Sequence, residues 1–490
     1  MDYRTPKINN LPAEPIVKIL HFHILLLGQP RKSLADGISK QRSNLQEKKG
    51  SLLIGHWPRT RANFYFGKFT RKKPMLLTQS IIGLITIVGL CYIFSENRTE
   101  IRFSVVLKSL LLQLCFAFVL LKLPASQNLF VVLNDGIAVL QAATREGTTF
   151  VFSYLGGGQL PFDETIPGGG FILAFQAMPL VIVISVISAI LMYWRLLPLI
   201  MRGFSLVLEK TLGIGGALGL GISANAFIGM IESPLLIKPY LSKLNHGEMF
   251  AVMTAGMATI AGTMLALEAA VISSVVPDAI GHLISCSLIT LPGVVYIAHL
   301  LVPDRSPVTS GEGEIKQSAE NLMDAISTGA ADGLQLLLNI LAMIIVIVAL
   351  VYLVNAFLGV FPEIQGEAIT LERILGILMA PLTLMMGIPW SEAFITGQLM
   401  GTKVVLTEFV AYVRFGQLPI DELAERTRII MTYALCGFAN FVSLGIMVTG
   451  LITIVPERKA EIIGMGLKCM IAGTLATCTT ATIVGAIIIT

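Results

Sequence analysis

Long apolar stretches recur along this chain, and two regions between them mix apolar residues with glycine, proline and isolated charges. An apolar helix of about 20 residues crosses the hydrocarbon core of a bilayer, which is about 30 Å thick. Eight stretches have the length and the apolar character that this requires, and the pattern predicts a transmembrane helix at each. The predicted spans are residues 76–94, 104–122, 172–198, 248–272, 279–302, 334–358, 427–455 and 462–489.

The two mixed regions, 203–244 and 369–414, are interrupted by glycine and proline and are too polar to cross lipid alone. Each is still apolar enough to enter the membrane, and each holds a glutamate deep within apolar sequence, Glu232 and Glu408 respectively. Broken backbone at membrane depth is tolerated only where protein or a water-filled cavity surrounds it. The pattern therefore predicts two re-entrant helical hairpins. The alternative is a pair of loops that lie on the membrane surface.

Related motifs follow the two glutamates, GMATIAG at 256–262 and GFANFVS at 437–443. Glycine, alanine, threonine and asparagine in the middle of a span favour local unwinding, which frees carbonyl oxygens as ligands. The chain is thus predicted to contain an inverted repeat, in which a hairpin precedes a partly unwound helix. Interrupted segments in corresponding halves indicate the binding site of a transporter.

Two amphipathic stretches, 134–147 and 318–333, place polar side chains on one helical face. Helices of this kind lie in the plane of the membrane interface in many proteins. We expect two interfacial helices here, with ordinary loop helices as the open alternative.

Composition agrees with a membrane protein. Of the 490 residues, 54% are hydrophobic and only 13% are charged, whereas soluble domains contain about 25% charged residues. An outer-membrane barrel would instead show alternating strands of about 10 residues. The predicted fold class is an all-α polytopic membrane protein with eight transmembrane helices, two re-entrant hairpins and interfacial helices.

Charge is unevenly distributed, because residues 1–74 carry a net charge of +11 and the remainder carries −7. Basic residues favour the cytoplasmic side of a membrane, and their positions predict cytoplasmic locations for 199–247, 303–333 and 456–461. An even number of spans then places the basic N-terminal segment outside, against that preference. We therefore expect translation to start at or near Met75, with residues 1–74 a disordered or spurious extension.

The remaining sequence divides into two expected parts. Residues 75–200 are expected to form the N-terminal scaffold helices and the first interfacial helix, and residues 201–490 the transport core. The six cysteines fall in apolar segments without close pairs, and the six histidines have no metal spacing. The glycine-rich stretch 154–171 lacks the Gly-Lys-Ser/Thr of a P-loop. We expect secondary transport without ATP hydrolysis, no enzymatic activity, no cofactor beyond a coupling ion and no nucleic-acid partner.

Glu232 and Glu408 are the main candidates for function. A carboxylate in the membrane interior costs at least about 2.5 kcal/mol, so two of them in matching segments indicate ligation of a polar solute or a cation. The alternative is an internal ion pair, for instance with Lys238 or Lys403. Nearby uncharged oxygen donors would suit a hard cation such as Na⁺; these are Asn225, Thr259, Asn440 and Ser443.

Four sequence blocks resemble the concentrative nucleoside transporters: NAFIGMIESPLLIKPYL, MFAVMTAGMATIAGTMLA, GTKVVLTEFVAY and IIMTYALCGFANFVSLGI. The resemblance covers about residues 75–490. It implies eight spans, two re-entrant hairpins, interfacial helices and a homotrimer in the inner or plasma membrane. It also implies Na⁺- or H⁺-coupled nucleoside uptake by an elevator motion of a transport domain.

The resemblance also implies site residues by position. Glu408, Asn440 and Ser443 would bind the ribose, Phe438 would pack on the nucleoside, and Met264 would line the base pocket. The full implied substrate site is Met230, Ile231, Glu232, Met264, Glu408, Phe438, Asn440 and Ser443. The implied cation site is Asn225, Ile228, Thr259 and Ile260, with both isoleucines acting through backbone carbonyls.

The base half of the site departs from the family. The family usually has glutamine and then serine or threonine directly before the first glutamate, whereas this chain has Met230 and Ile231. The expected function is a nucleoside symporter, and a shifted substrate, such as a modified or more hydrophobic nucleoside, is the alternative within transport. A passive channel is a further alternative. An intramembrane enzyme would require a nucleophile and base or a metal set, and the sequence shows no such cluster.

Overall fold

The computed structural model describes residues 73–163, 170–230, 232–311, 319–363, 366 and 368–488, and every regular element within them is a helix. The first third contains α1 (Lys73–Ile93), α2 (Phe103–Lys122), α3 (Pro124–Phe152), α4 (Leu173–Gln176), α5 (Leu180–Tyr193) and α6 (Leu196–Leu212). Short 3-10 helices lie at Arg98–Glu100, Ser153–Gly156 and Pro456–Arg458. The predicted N-terminal extension lies outside the described residues except for its last two positions, at the start of α1.

The middle third contains α7 (Gly216–Ile228), α8 (Glu232–Leu236), α9 (Lys238–Leu241), α10 (His246–Ala258), α11 (Gly262–Ile272), α12 (Ala279–Leu301) and α13 (Leu322–Leu358). The last third contains α14 (Leu371–Met385), α15 (Trp390–Val405), α16 (Glu408–Gln417), α17 (Glu425–Leu435), α18 (Phe441–Ile454) and α19 (Lys459–Ile487).

Seven apolar segments of the described residues are long enough to cross a membrane, and each overlaps a predicted span. They are Leu76–Ile93, Phe103–Lys122, Leu173–Tyr193, His246–Ile272, Ala279–Leu301, Leu322–Leu358 and Pro456–Ile487. The remaining predicted span, 427–455, is divided into α17 and α18 by a five-residue break. The chain is a multi-pass membrane protein.

The second predicted amphipathic helix is not a separate element. Asn321 caps the start of α13, and the helix then continues without interruption for 37 residues. At about 1.5 Å per residue it is about 55 Å long, which exceeds the hydrocarbon core of about 30 Å. Two glycines allow the close packing of its N-terminal half on α5: a Cβ on Gly329 or Gly333 would lie 2.8 or 2.7 Å from a backbone Cα of α5. The first predicted stretch, 134–147, likewise lies inside the longer helix α3.

The same order of elements occurs twice in the part that holds both glutamates. In the first occurrence α7 is followed by α8, which begins at Glu232, by the short helix α9, and then by α10 and α11 with a break between them. In the second, α15 is followed by a helix that begins at Glu408, and then by α17 and α18 with a break between them. In each occurrence, a helix that begins at a glutamate precedes two helices separated by a short break.

The apolar helices α14 and α15 are joined by a sharp bend. The two helices turn by 118° across residues 386–389. Gly387 permits this turn because its φ is +86°, and a Cβ there would lie 2.4 Å from Oγ of Ser80. The chain therefore turns sharply before it enters α15, within the region where the second hairpin was predicted.

Candidate functional site

Both predicted glutamates begin a helix directly after the preceding helix has ended. Glu232 is the first residue of α8, and Gly229 before it has a φ of +102°. A Cβ on Gly229 would lie 2.8 Å from a carboxylate oxygen of Glu232, so the carboxylate packs against the turn. Glu408 is the first residue of α16, and the preceding Thr407 caps that helix by accepting from the backbone N–H of Val410 at 3.2 Å. The N-terminus of α16 favours a negative charge at Glu408.

The breaks in the two broken helices lie against one another. Thr259 follows the last residue of α10 in an extended conformation, and Ala261, directly before α11, is extended as well. In the other break Gly437 has a φ of +100°, and a Cβ there would lie 2.7 Å from the carbonyl oxygen of Ala258. Only glycine allows this backbone approach without strain. The unwound segments from the two halves therefore meet at one place.

Asn440 joins the second break to the second glutamate. Its Nδ2 donates to Oε2 of Glu408 at 2.7 Å, and its Oδ1 accepts from the backbone N–H of Ser443 at 2.8 Å. The side chains of Glu408 and Asn440 are buried, as is that of Ser443. The amide thus orients the carboxylate and caps α18 at the same time.

A cavity of about 740 Å³ opens beside this group. Binding sites for small molecules have volumes of about 300–1,000 Å³. The implied substrate residues that line the cavity are Met230, Glu232, Met264, Glu408, Phe438 and Ser443. Asn440 lies directly behind Glu408, and Ile231 lies outside the described residues. The structure therefore places six of the eight implied residues in the lining of one cavity, and a seventh is hydrogen-bonded to one of them.

Helices α5 and α13 also line the cavity, and the sequence analysis did not assign their residues to the site. Ser185 and Ser188 line it from α5, and Thr328, Asp332, Gln335 and Asn339 line it from α13. The four α13 residues are spaced three or four apart, so they share one face of the helix. Nε2 of Gln335 donates to Oδ1 of Asn339 at 3.0 Å. The amphipathic pattern over 318–333 was the sequence signal for this polar face, but it ended before Gln335 and Asn339.

The implied cation residues occupy the end of α7 and the first break. Oγ1 of Thr259 donates to the backbone carbonyl of Asn225 at 3.2 Å, which joins these two segments. Nδ2 of Asn225 donates to the carbonyl of Gly221 at 3.0 Å, while its buried Oδ1 has no hydrogen-bond partner in the described part of the chain. Ile228 lines the cavity and Ile260 is buried in the break. A neutral oxygen left without a donor suits a hard cation, which prefers oxygen ligands.

Lys403 has a different role from the suggested ion pair. Its side chain is fully buried, and Nζ donates to the carbonyls of Ala434 and Cys436 at 2.9 Å each and to Oγ1 of Thr477 at 3.2 Å. No ion pair joins Lys403 to Glu408 within the described residues. A cation at the last carbonyls of a helix is favourable, so Lys403 holds the end of α17 at the break.

Glu268 is a buried acid that the sequence analysis did not consider. It lies in the middle of α11 with 0% of its side chain exposed, and neither carboxyl oxygen has a hydrogen-bond partner among the described residues. The sequence did contain a signal for this buried acid, namely a single glutamate in the apolar segment MLALEAAVI. The motifs drew attention to the breaks and not to the helix that follows one of them.

Comparison with protein families gives three matches along the chain. Residues 82–155 match a model described as the N-terminus of Na⁺-dependent nucleoside transporters, and residues 282–485 match a model of their C-terminus. Residues 174–275 match a gate model described as nucleoside recognition. The last match contains Asn225, Glu232 and Thr259.

Individual relatives are similar over most of their length. The chain is 34% identical over 411 residues to the nucleoside permease NupC of Helicobacter pylori, a match that covers 83% of this chain and 96% of the relative. It is 34% identical over 410 residues to the uncharacterized transporter YutK of Bacillus subtilis, covering 83% and 98% respectively. The solved structure of CNTnw in an inward-facing substrate-bound state is 31% identical, with a TM-score of 0.78 over 84% of this chain and 98% of that one.

Proposed function

Because this chain belongs to the concentrative nucleoside transporter family, we propose that it is a secondary active symporter that imports nucleosides across the inner or plasma membrane. It is a transporter and not an enzyme. The observation that carries the proposal is the cavity, on whose wall Glu232, Glu408 and Ser443 lie together with Asn440 behind them.

The group around Glu408 fits a ribose. The carboxylate can accept hydrogen bonds from sugar hydroxyls, and Ser443 can donate or accept. Bonds to an ionised carboxylate are about twice as strong as neutral ones. Asn440 holds the carboxylate in place at 2.7 Å, so the acceptor needs little ordering when a sugar arrives. Phe438 lines the same cavity and offers an apolar surface for the nucleoside.

The coupling site adjoins the substrate site. A Cβ on Gly256 would lie 3.0 Å from Cβ of Met230 and 3.6 Å from Oδ1 of Asn225, so both side chains pack on the same helical position of α10. A cation held by Asn225 and Thr259 would therefore order the turn that leads into Glu232. One positive charge moving down about 100 mV gains about 2.3 kcal/mol. Sodium is the first choice of coupling ion, and a proton is the other.

An elevator motion is consistent with where the cavity walls come from. The elements of both broken halves contribute to the cavity lining, and α5 and α13 contribute to it as well. In this proposal α5 belongs to a scaffold held in a homotrimer, and so does α13, although it lies within the part of the sequence expected to form the transport core. The broken halves form the domain that moves. The polar face of α13 would give the moving site a hydrated path.

A shifted substrate is the second candidate, and Met230 favours it. Met230 lines the cavity where the family usually has glutamine, and Leu235, Leu236 and Met264 also line it. A base edge left unpaired here would lose about 1–3 kcal/mol per polar group. A modified or more hydrophobic nucleoside avoids that loss while it keeps the ribose contacts.

Uptake into proteoliposomes tests the proposal. Purified protein should accumulate labelled uridine or adenosine when an inward Na⁺ or H⁺ gradient is imposed, and dissipating that gradient should abolish accumulation. Equilibration without accumulation would indicate a passive channel instead. If folded protein moves neither nucleoside under either gradient, the proposed substrate is wrong.

A further inference from the structure

Glu268 is buried in a manner that an ionised carboxylate does not tolerate. Its side chain is 0% exposed, and both carboxyl oxygens lack hydrogen-bond partners in the described part of the chain. A charged carboxylate without partners in a low-dielectric interior is strongly disfavoured, and such a group takes up a proton instead. The side chain of Glu268 is therefore expected to be the neutral acid in this conformation.

Four charged or titratable groups lie within electrostatic reach of Glu268, namely Lys403, Glu408, Cys436 and Tyr412. The remaining charged residue of α16 is Arg414, whose guanidinium pairs with Glu372 at 2.8 Å. The other helices packed on α11 are α5, α7 and α12. Of these, α7 carries no titratable side chain, and α5 carries Tyr193 alone. The titratable residues of α12 are His282, Cys286, Tyr296 and His299. Lys403 and Glu408 are thus the two groups of opposite charge that bear on the state of Glu268.

The arrangement allows one of the two acids to be ionised at a time. Lys403 supplies one buried positive charge, and its three donors are all occupied. Glu408 has the features that stabilise an anion, since it begins α16 and accepts from Asn440. A second carboxylate at Glu268 would have no cation left to balance it. One proton is therefore shared between two acids, and the packing favours Glu268 as its holder.

We propose that Glu268 binds a proton that can drive nucleoside uptake separately from the cation site at Asn225 and Thr259, and that this proton enters from the cavity through Glu408. The proposal deepens the proposed function and rests on it. Glu408 lines the cavity and Glu268 does not, so the proton passes from cavity water to the Glu408 carboxylate and from there to Glu268. Glu408 is then ionised again and can accept a hydrogen bond from a ribose hydroxyl. On the opposite side of the membrane the same steps run in reverse.

Transport by variants tests the proposal. A pH difference of about one unit is a tenfold proton gradient, which supports about tenfold accumulation when one proton moves per nucleoside. In Na⁺-free proteoliposomes the wild type should accumulate labelled uridine to about this extent. Glu268→Gln should lose this accumulation and show uptake that no longer depends on pH. Glu268→Asp keeps an acid and should retain pH-driven accumulation, which excludes a merely structural effect.

Glu248→Gln is the matched control. Glu248 is also a buried glutamate, but its oxygens accept from the backbone of Asn245 and from Thr309. Its replacement should leave the pH dependence as in the wild type. If Glu268→Gln keeps pH-driven accumulation, Glu268 is not the proton site. The same follows if the wild type shows no pH-driven accumulation although it still exchanges labelled for unlabelled uridine without a gradient. Failure of that exchange would count against the proposed function itself.

Infrared difference spectroscopy can determine the protonation state of Glu268 in the absence of nucleoside. Detergent-solubilised wild type at neutral pH should show the carbonyl stretch of a protonated carboxylic acid, shifted on transfer to heavy water. This band should be absent from Glu268→Gln and present in Glu248→Gln. An identical band in all three proteins would show that Glu268 is ionised, and the proposal would be overturned.

Discussion

Asn440 donates a hydrogen bond from Nδ2 to Oε2 of Glu408 across 2.7 Å, and both side chains are buried. The bond connects the start of α16 to the break before α18, two elements that are 32 residues apart in sequence. Because Oδ1 of the same amide accepts from Ser443, the position of Glu408 is set by the capping of a helix. The carboxylate is therefore held ready before a substrate arrives.

Glu408→Gln should reduce nucleoside affinity while leaving the protein folded. Glutamine has the same shape but loses the charge that strengthens bonds to sugar hydroxyls, and a hydrogen bond to a charged group contributes about 1.5–3 kcal/mol. We expect the dissociation constant for uridine to rise about 10- to 150-fold, as measured by isothermal titration calorimetry. Glu425→Gln, at the exposed start of α17, is the control and should bind like the wild type. Unchanged binding by Glu408→Gln would place the ribose elsewhere.

Asn225→Ala should weaken the dependence of transport on sodium. The Oδ1 of Asn225 is buried without a hydrogen-bond partner in the described residues, so its removal leaves no donor unpaired. Loss of one oxygen ligand should raise the half-saturating Na⁺ concentration about tenfold, the equivalent of about 1.4 kcal/mol. Ser223→Ala is matched to it, because Oγ of Ser223 is also buried without a partner and lies on the same helix. Equal sodium dependence in both variants would contradict the proposed cation site.

Gly437→Ala should destabilise the protein. Residue 437 has a φ of +100°, and an added Cβ would lie 2.7 Å from the carbonyl oxygen of Ala258. A residue with a Cβ in this backbone region is strained by about 1–3 kcal/mol, before the contact with Ala258 is considered. Thermal unfolding in detergent should show a lower midpoint. Gly445→Ala lies in α18 with no atom within 4 Å of the added carbon, so its midpoint should not fall.

Lys403→Met should be among the most destabilising single changes in the transport core. It leaves the carbonyls of Ala434 and Cys436 and the hydroxyl of Thr477 without their buried donor. Each buried group left unsatisfied costs about 1–3 kcal/mol, so we expect a loss of about 3 kcal/mol or more. Lys459→Met, at the exposed start of α19, provides the comparison. A melting temperature equal to that of the wild type would mean that the end of α17 does not depend on Lys403.

The parts of the structure that the sequence predicted are those where lipid penalises a polar residue. Glu232 and Glu408 stand out in apolar surroundings, and the structure places both on the cavity wall. The spans follow from the same contrast, because a helix in lipid must be apolar along about 20 residues. Assigning Glu408 and Asn440 to one ribose-binding group, by contrast, required the resemblance to a family, since residues 32 positions apart show no periodicity.

Other features depend on packing, which a pattern of apolar residues does not specify. The polar face of α13 lines the cavity only because Gly329 and Gly333 bring that helix against α5. Lys403 looked like a partner for a carboxylate, yet it donates to carbonyls that become free only where α17 ends. Both roles come from contacts between segments that are distant in sequence.

The base half of the site gives the last prediction. Met230 lines the cavity, and the family resemblance implies glutamine there and a hydroxyl side chain at Ile231. If this chain binds ordinary nucleosides weakly, the double change Met230→Gln with Ile231→Thr should supply two polar partners for the base. We expect uridine binding to become about tenfold tighter, because one new hydrogen bond contributes about 0.5–1.5 kcal/mol. Leu235→Gln adds a glutamine to the same cavity outside the implied base-reading pair, and should not have this effect. Equal uridine affinity in the double variant and the wild type would show that the apolar pair does not limit nucleoside binding.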